Sequence, residues 1–424
     1  MSNGSGRGLR GLFSRSQPPP AAGDGSVGAV GSAGSRYGFE YLAAERVYLD
    51  SACQTMRPQP VIDALTEYFT QYNACGDRVK YDWGRRVDDA VDDTRSAVLK
   101  TLDLSPRRYA ASFTLNTTYG LNLLLTQLPQ GRYRRVVTTH TEHNSVFLST
   151  MSFARRTGVE RVLLDRDADG ALQYTDADLD DALVVISAMN NVDGAATVGL
   201  AELITRTQAR GGAVIVDAAQ ALPHALSLVR GLSPDAVCFS AHKVYGASLG
   251  VVAATHELLR SLDLVFIGGG QVAGVTASEY ELLDEPHTRL EAGLQSWGEI
   301  IALGAALRWL DGYRSATGVD LEAREGELSA ALHDGLAALP NLRILSPRGS
   351  SLVSVVPERV DGHRLATFLS KAGIMVRSGY FCAHHWLVER QDLPPVVRFS
   401  LGAHNTTGDI DTTLTVMSKL MKGL

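Results

Sequence analysis

Cysteine is scarce in this chain: four in 424 residues, Cys53, Cys75, Cys238 and Cys382, and no two of them stand at C-x-x-C spacing. That excludes a disulfide framework and a zinc cluster and fits a reducing compartment, so a cytoplasmic location is expected. No apolar run approaches the ~20 residues that span a bilayer, and no membrane partner is expected. No basic stripe offsets a formal net charge of −6, which argues against a nucleic-acid partner. No G-x-G-x-x-G occurs, and Gly268-Gly269-Gly270 alone is no dinucleotide fingerprint, so a nicotinamide-dependent enzyme is not expected.

What is present is an ordinary globular composition, 45% hydrophobic and 20% charged, on a chain long enough for two or three domains. Residues 1–40 differ in kind. They are rich in Gly, Ser, Ala and Pro, and Asp24 is the single acid before residue 37; a disordered low-complexity tail is expected. The alternation of Arg7, Arg10 and Arg15 with Leu9, Leu12 and Phe13 leaves an organelle transit peptide as the second reading.

The most informative stretch runs from Val214 to Val252. The β-branched run from Ala213 to Val216 stops at Asp217, and a second apolar run, Asp235 to Ser240, precedes His242 and Lys243. Short continuous apolar runs read as buried parallel strands, and ligands of such sheets bind beyond the strands' carboxyl ends. Asp217 and Lys243 are therefore expected at one crevice. Similar runs at Val136–Thr139 and Ala182–Ser187 alternate with helical patterns such as Val198–Arg210, which gives an α/β fold with helices on both faces of a mostly parallel sheet.

The sequences VDAAQ (Val216 to Gln220) and FSAHK (Phe239 to Lys243) resemble the core signature of the pyridoxal-phosphate-dependent class V aminotransferase family, in its cysteine desulfurase and selenocysteine lyase branch. The resemblance implies the type I fold of pyridoxal-phosphate transferases. A large domain, residues 41–311 with a seven-stranded sheet, would precede a smaller α+β domain, residues 312–424, to which residues 41–60 contribute. It implies pyridoxal 5'-phosphate as cofactor, carried by Lys243 as an internal Schiff base. Asp217 would face the ring nitrogen and Gln220 the ring's phenolic oxygen. Ser112 to Asn122 resembles the family's phosphate-binding turn, with Thr117 and Thr118 as donors at a helix N-terminus; Thr117 reads equally as a plain N-cap. Ser240 and His242 match phosphate-binding positions. His143, in Glu142-His143-Asn144, matches the histidine that lies on the ring, and Asn191 a residue near the phenolic oxygen and substrate. His140 is off the motif and reads as structural.

The C-terminal part carries the motifs that distinguish a reaction. Arg377 to Ala383 resembles the R-x-G-x-x-C-A of desulfurases, whose cysteine is the nucleophile, so Cys382 is the expected sulfur acceptor. Val397 to Thr406 resembles a segment whose arginine binds the substrate carboxylate; Arg398 is that anchor and Arg377 assists. Cys53, Cys75 and Cys238 lack the motif and read as inert. A Cys-x-His-His metal site lacks further clustered ligands, and no metal is expected.

The chain departs from the family at three places. Arg78, Tyr81 and Trp83 replace a His-Arg-Gly loop, no proline follows Gly246, and Leu294 replaces a threonine that in relatives reaches the partner subunit's phosphate, a role left to Gln295 or Ser296. The expectation is a homodimeric desulfurase that converts L-cysteine to alanine and passes sulfur to an acceptor protein or small thiol. The alternative is a class V aminotransferase, epimerase or C–S lyase with Cys382 idle. A third reading, a non-catalytic scaffold of the same fold, conflicts with the full set of ring-holding residues.

Overall fold

The computed structural model describes residues 36–43, 46–77, 79–167 and 170–423; most of the expected tail, and Arg78, lie outside the described residues. Strand β1 (Val47–Tyr48) is followed by β2 (Tyr109–Thr114), β3 (Arg135–Thr139), β4 (Glu160–Arg166), β5 (Leu172–Gln173), β6 (Ala182–Ser187), β7 (Ala213–Asp217), β8 (Ala236–Ser240) and β9 (Gly250–Thr255). From β2 to β9 these form one sheet in the order β2-β9-β8-β7-β6-β3-β4-β5. Strands β8, β7, β6, β3 and β4 run parallel, while β9 is antiparallel to both neighbours. Every residue of β6, β7 and β8 is buried. Helices cover both faces, so these strands read as unbroken apolar runs rather than alternating ones.

The sheet has eight strands where seven were expected. The extra one, β5, is two residues long, pairs antiparallel with the edge strand β4, and is too short to carry a periodic signal.

A hairpin of β10 (Val272–Val275) and β11 (Tyr280–Leu282) leads to the C-terminal domain, which contains β12 (Leu342–Ile344), β13 (Leu352–Pro357), β14 (Ile374–Met375), β15 (Arg377–Gly379) and β16 (Val396–Ser400). Its antiparallel sheet is ordered β12-β13-β16-β15. The N-terminal segment joins this domain, because β1 pairs in parallel with β14.

Two expected boundaries need correction. Residue 312 falls inside an unbroken helix, Trp297–Thr317, that packs on the helices Gln59–Gln71 and Asp82–Leu102. The break comes at Gly318, which caps the helix with a left-handed φ of 73° that costs glycine no Cβ clash. The tail boundary at residue 40 is also too late. Phe39 is 0% exposed and packs edge-on against Trp309 at 5.5 Å between ring centroids, so the chain enters the core before Tyr41. Among the described residues no helix is long and apolar enough to cross a membrane.

The seam between the domains is polar and buried. Tyr245, two residues past Lys243, adopts a left-handed φ of 62° and is fully buried. Its hydroxyl donates to Glu325 Oε1 at 3.1 Å and accepts from the Ala403 amide at 2.9 Å. The second carboxylate oxygen of Glu325 meets His224 Nδ1 at 3.0 Å. Glu325 comes from the helix Leu321–Ala337 and His224 from the short helix after Gln220. One carboxylate thus ties the segments carrying Lys243 and Gln220 to the second domain. Replacing it strands two buried polar groups, so Glu325→Ala should lower stability by about 2–4 kcal/mol in urea titration, with Glu325→Gln retaining part of that loss.

Candidate active site

The carboxyl ends of β6, β7 and β8 open on a cavity of about 700 Å³ whose lining includes Asp217, Lys243, His143, Asn191, Gln220, Ser240, His242, Thr117, Thr118, Arg377, Cys382 and Arg398. Every residue the sequence marked for the site is therefore brought to one space. Asp217 ends β7 and is 5% exposed; its Oδ1 accepts the Ala219 amide at 2.8 Å. Burial pushes its carboxyl above the usual range, against the pull of the Ala219 amide and of Lys243. Burial likewise draws the Lys243 amine down, opposed by Asp217 and aided by Arg398. Desolvation thus moves both groups toward their neutral forms, the direction in which a lysine amine gains nucleophilicity.

One end of the cavity is built from hydroxyls and a helix terminus. The helix Thr117–Gln127 starts on Asn116, whose side chain accepts the Tyr119 amide at 2.9 Å. Asn116, not Thr117, is the cap. That frees Thr117, in the first turn, to donate its amide to Ser240 Oγ at 2.9 Å, and the two hydroxyls lie 2.6 Å apart. Thr118 Oγ1 and Ser145 Oγ are 2.5 Å apart. Gly250 lets the backbones close up here, since a Cβ on it would meet Asn116 at 2.5–2.6 Å. A positive helix end beside four hydroxyls suits a dianion. His242 stands nearby on the turn before Lys243, its imidazole pushed down to about 4 by burial, Lys243 and Arg57.

His143 caps the helix Asn144–Thr157, and its Nδ1 accepts the Ser145 amide at 3.0 Å. The neutral ring therefore carries its proton on Nε2. Burial, then Lys243, Arg398 and Arg377, push it down to about 3. Gln220 donates Nε2 to the Ala52 carbonyl at 2.9 Å, and Asn191 donates Nδ2 to the Phe381 carbonyl at 2.8 Å. Three buried polar atoms of lining residues have no partner: Gln220 Oε1, Asn191 Oδ1 and Arg398 Nε. Buried polar atoms are normally satisfied, so the cavity is shaped for a polar occupant.

The small domain supplies the rest. Arg398 on β16 lies directly across from Arg377 on β15. Like charges in register are unfavourable unless an anion joins them, and the Asp50 carboxylate, whose charged form both arginines favour, stands beside this pair. Arg398 Nη1 donates to the Asn191 carbonyl at 2.6 Å, and Nη2 reaches Asp50 Oδ1 at 3.3 Å. Cys382 is exposed and sits on a tight turn. The Ala383 amide returns to the Tyr380 carbonyl at 2.8 Å, and Phe381 and Cys382 both take left-handed φ, 46° and 57°. The Asn144 amide holds the Cys382 carbonyl at 2.6 Å.

Other expectations fare differently. Cys53, read as inert, is half-buried, lines the same cavity and accepts a hydrogen bond from Arg377 Nη1. Cys238 lies buried inside β8 with its thiol pushed up by burial. Tyr81 and Trp83 do not line the cavity and are exposed. Leu294, 77% exposed, lines a smaller cavity with Gln295 and Ser296. His140 meets His385 at 3.0 Å, outside the cavity. Among the described residues no group of three or more metal-binding side chains is arranged to hold an ion.

A model of the aminotransferase class-V family matches residues 47–413. A protein named probable cysteine desulfurase 2 from Mycobacterium leprae is 30% identical over 380 residues, covering 86% of this chain and 89% of that protein. The apo structure of a cysteine desulfurase from Thermococcus onnurineus NA1 superposes with a TM-score of 0.81 at 28% identity, over 90% of this chain and 96% of the other. An Escherichia coli cysteine desulfurase in its S-sulfonic acid form also gives 0.81, at 26% identity over 92% and 98% of the two chains. The family match runs from β1 into the last helix and takes in every residue of the cavity: this chain belongs to the class V aminotransferase family.

Proposed function

We propose that this chain is a pyridoxal-phosphate-dependent cysteine desulfurase that takes the sulfur of L-cysteine onto Cys382 and releases alanine. The observation that carries this reading is the meeting, in one cavity, of a desolvated lysine, a buried aspartate, a pair of facing arginines and an exposed thiol. The relatives named cysteine desulfurase support it.

The unpaired atoms of Gln220 and Asn191 and the hydroxyl-lined helix terminus fit the cofactor. Thr117, Thr118, Ser240 and His242 would hold its phosphate, Asp217 its ring nitrogen, Gln220 its phenolic oxygen and Lys243 its aldehyde carbon; His143 and Asn191 would border the ring. When bound, pyridoxal phosphate supplies an electron-withdrawing ring that stabilises charge left on an amino acid's α-carbon. Arg398 and Arg377 orient the substrate by its carboxylate. The Lys243 amine moves the proton at the α-carbon, and His143, neutral with its proton on Nε2, is a second proton carrier. The Cys382 thiolate then attacks the substrate sulfur. The carbon–sulfur bond breaks, its electron pair stays with the β-carbon, and that carbon is protonated to give alanine. The sulfur remains on Cys382 as a persulfide, exposed to an acceptor protein or small thiol. We read the working unit as a homodimer: Leu115, Phe266 and Leu294 are exposed apolar side chains around the smaller cavity, and Tyr119 borders both cavities.

With L-cysteine, the holoprotein should form alanine and bound persulfide in equal amounts. Cys382→Ala should lower sulfur release roughly 10²-fold or more. Unchanged release from Cys382→Ala would instead favour a C–S lyase, and transfer of the amine to an added keto acid an aminotransferase. Borohydride reduction should fix the cofactor to the peptide containing Lys243, and Lys243→Ala should trap none.

His143 gives a pH prediction. Its imidazole takes up a proton at about 6.5 when unfolded but only at about 3 in the fold. The unfolded chain therefore binds more protons between these values, and this group's contribution to stability is complete above pH 6.5 and is lost as the pH falls. Between pH 6.5 and 4, wild type should lose stability faster than His143→Gln, by at most ~1.4 kcal/mol per pH unit, measured by urea unfolding of the cofactor-free proteins.

A further inference from the structure

The cavity holds a second thiol. Of the four cysteines, Cys53 and Cys382 line it, whereas Cys238 is sealed inside β8 and Cys75 lies elsewhere. Building on the reading of Cys382 as first sulfur acceptor, we propose that Cys53 is a second sulfur carrier that takes the outer sulfur of the Cys382 persulfide and stores it inside the cavity.

Three independent observations converge on Cys53. Its backbone is fixed relative to Lys243: the Ala52 amide donates to Ser400 Oγ at 2.9 Å, the Ala52 carbonyl accepts from Gln220, and the Thr55 amide donates to the His242 carbonyl at 3.0 Å. A thiol so held does not swing away from the reacting space. Its sulfur is also in a cationic setting. Arg377 Nη1 donates to Sγ, and the sulfur is close enough to Lys243 and Arg398 to favour the charged form of each, in both cases against a larger effect of burial. A persulfide anion is better stabilised there than at the exposed turn of Cys382. Finally, Arg398, 2% exposed, lines the same cavity with an unpartnered Nε, a buried donor left open although its Nη2 reaches Asp50. Arg377 stands five positions before Cys382 on the strand leading into its turn, so the residue that contacts Cys53 also leads to the sulfur donor.

The transfer balances without an added oxidant or reductant. The Cys53 thiolate attacks the outer sulfur of the Cys382 persulfide, and a new sulfur–sulfur bond forms as the old one breaks. Cys382 departs with the electron pair as a thiolate and takes the proton that Cys53 had released. The first thiol is then free for another substrate while the stored sulfur waits deeper in the site.

The test is a persulfide map. Holoprotein is exposed anaerobically to two equivalents of L-cysteine with no other thiol, trapped with iodoacetamide, and read by intact mass and peptide mapping. Wild type should carry persulfide on both Cys53 and Cys382. Cys53→Ala should store about half as much sulfur, all of it on Cys382, and Cys382→Ala none, with circular dichroism reporting that both are folded. Persulfide on Cys382 alone at saturation overturns this proposal and leaves the desulfurase reading intact. So does a Cys53–Cys382 disulfide with release of sulfide, or sulfur on Cys53 in Cys382→Ala. Absence of both alanine and persulfide in wild type overturns the two readings together.

Discussion

The buried guanidinium of Arg398 is the junction on which the arrangement depends. It reaches Asp50 of the N-terminal segment, the backbone of Asn191 at the end of the large sheet, and the face of Phe381 beside the cysteine turn, 4.7 Å from the ring centroid. A charge taken out of water needs partners of good geometry or it destabilises the fold. Here the partners come from three separate stretches of chain, so seating the charge also joins the two domains. The same group faces Arg377 across the sheet, so the protein holds two positive charges in register beside the Asp50 carboxylate. Domain assembly thereby runs through a side chain that also lines the cavity.

Desolvation sets the chemistry of the rest. Asp217, Lys243 and His143 are all moved toward neutrality mainly by burial, and shifts of this kind collected in one cleft mark a reactive site rather than a structural ion pair. Around them the polar atoms are placed by short loops at the ends of buried strands, which cannot drift. The buried seam of Glu325, His224 and Tyr245 serves the same end from behind, since Tyr245 is two residues from the lysine.

Much of this was legible in the sequence, for a physical reason. Strands buried on both faces are continuous apolar runs, so their ends, and with them Asp217 and the turn to Lys243, are marked by the first polar residues. The cap of the helix Thr117–Gln127 stayed open in the sequence because Asn116 and Thr117 are both capping types and only geometry separates them. The contact of Cys53 with Arg377 was not legible because the two lie 324 residues apart, beyond any local pattern. Phe39 and β5 were missed for the opposite reason: each is too short a signal beside a stretch of different composition.

The turn that carries Cys382 has a mechanical side. Two successive residues with side chains, Phe381 and Cys382, hold left-handed backbone angles, each costing about 1–2 kcal/mol. Against this stand the hydrogen bonds from Asn144 and Asn191 to the turn's two carbonyls, each contributing about 0.5–1.5 kcal/mol. The two sides nearly cancel. Such a tip behaves as a latch near its balance point, so displacing the turn that carries Cys382 demands little work.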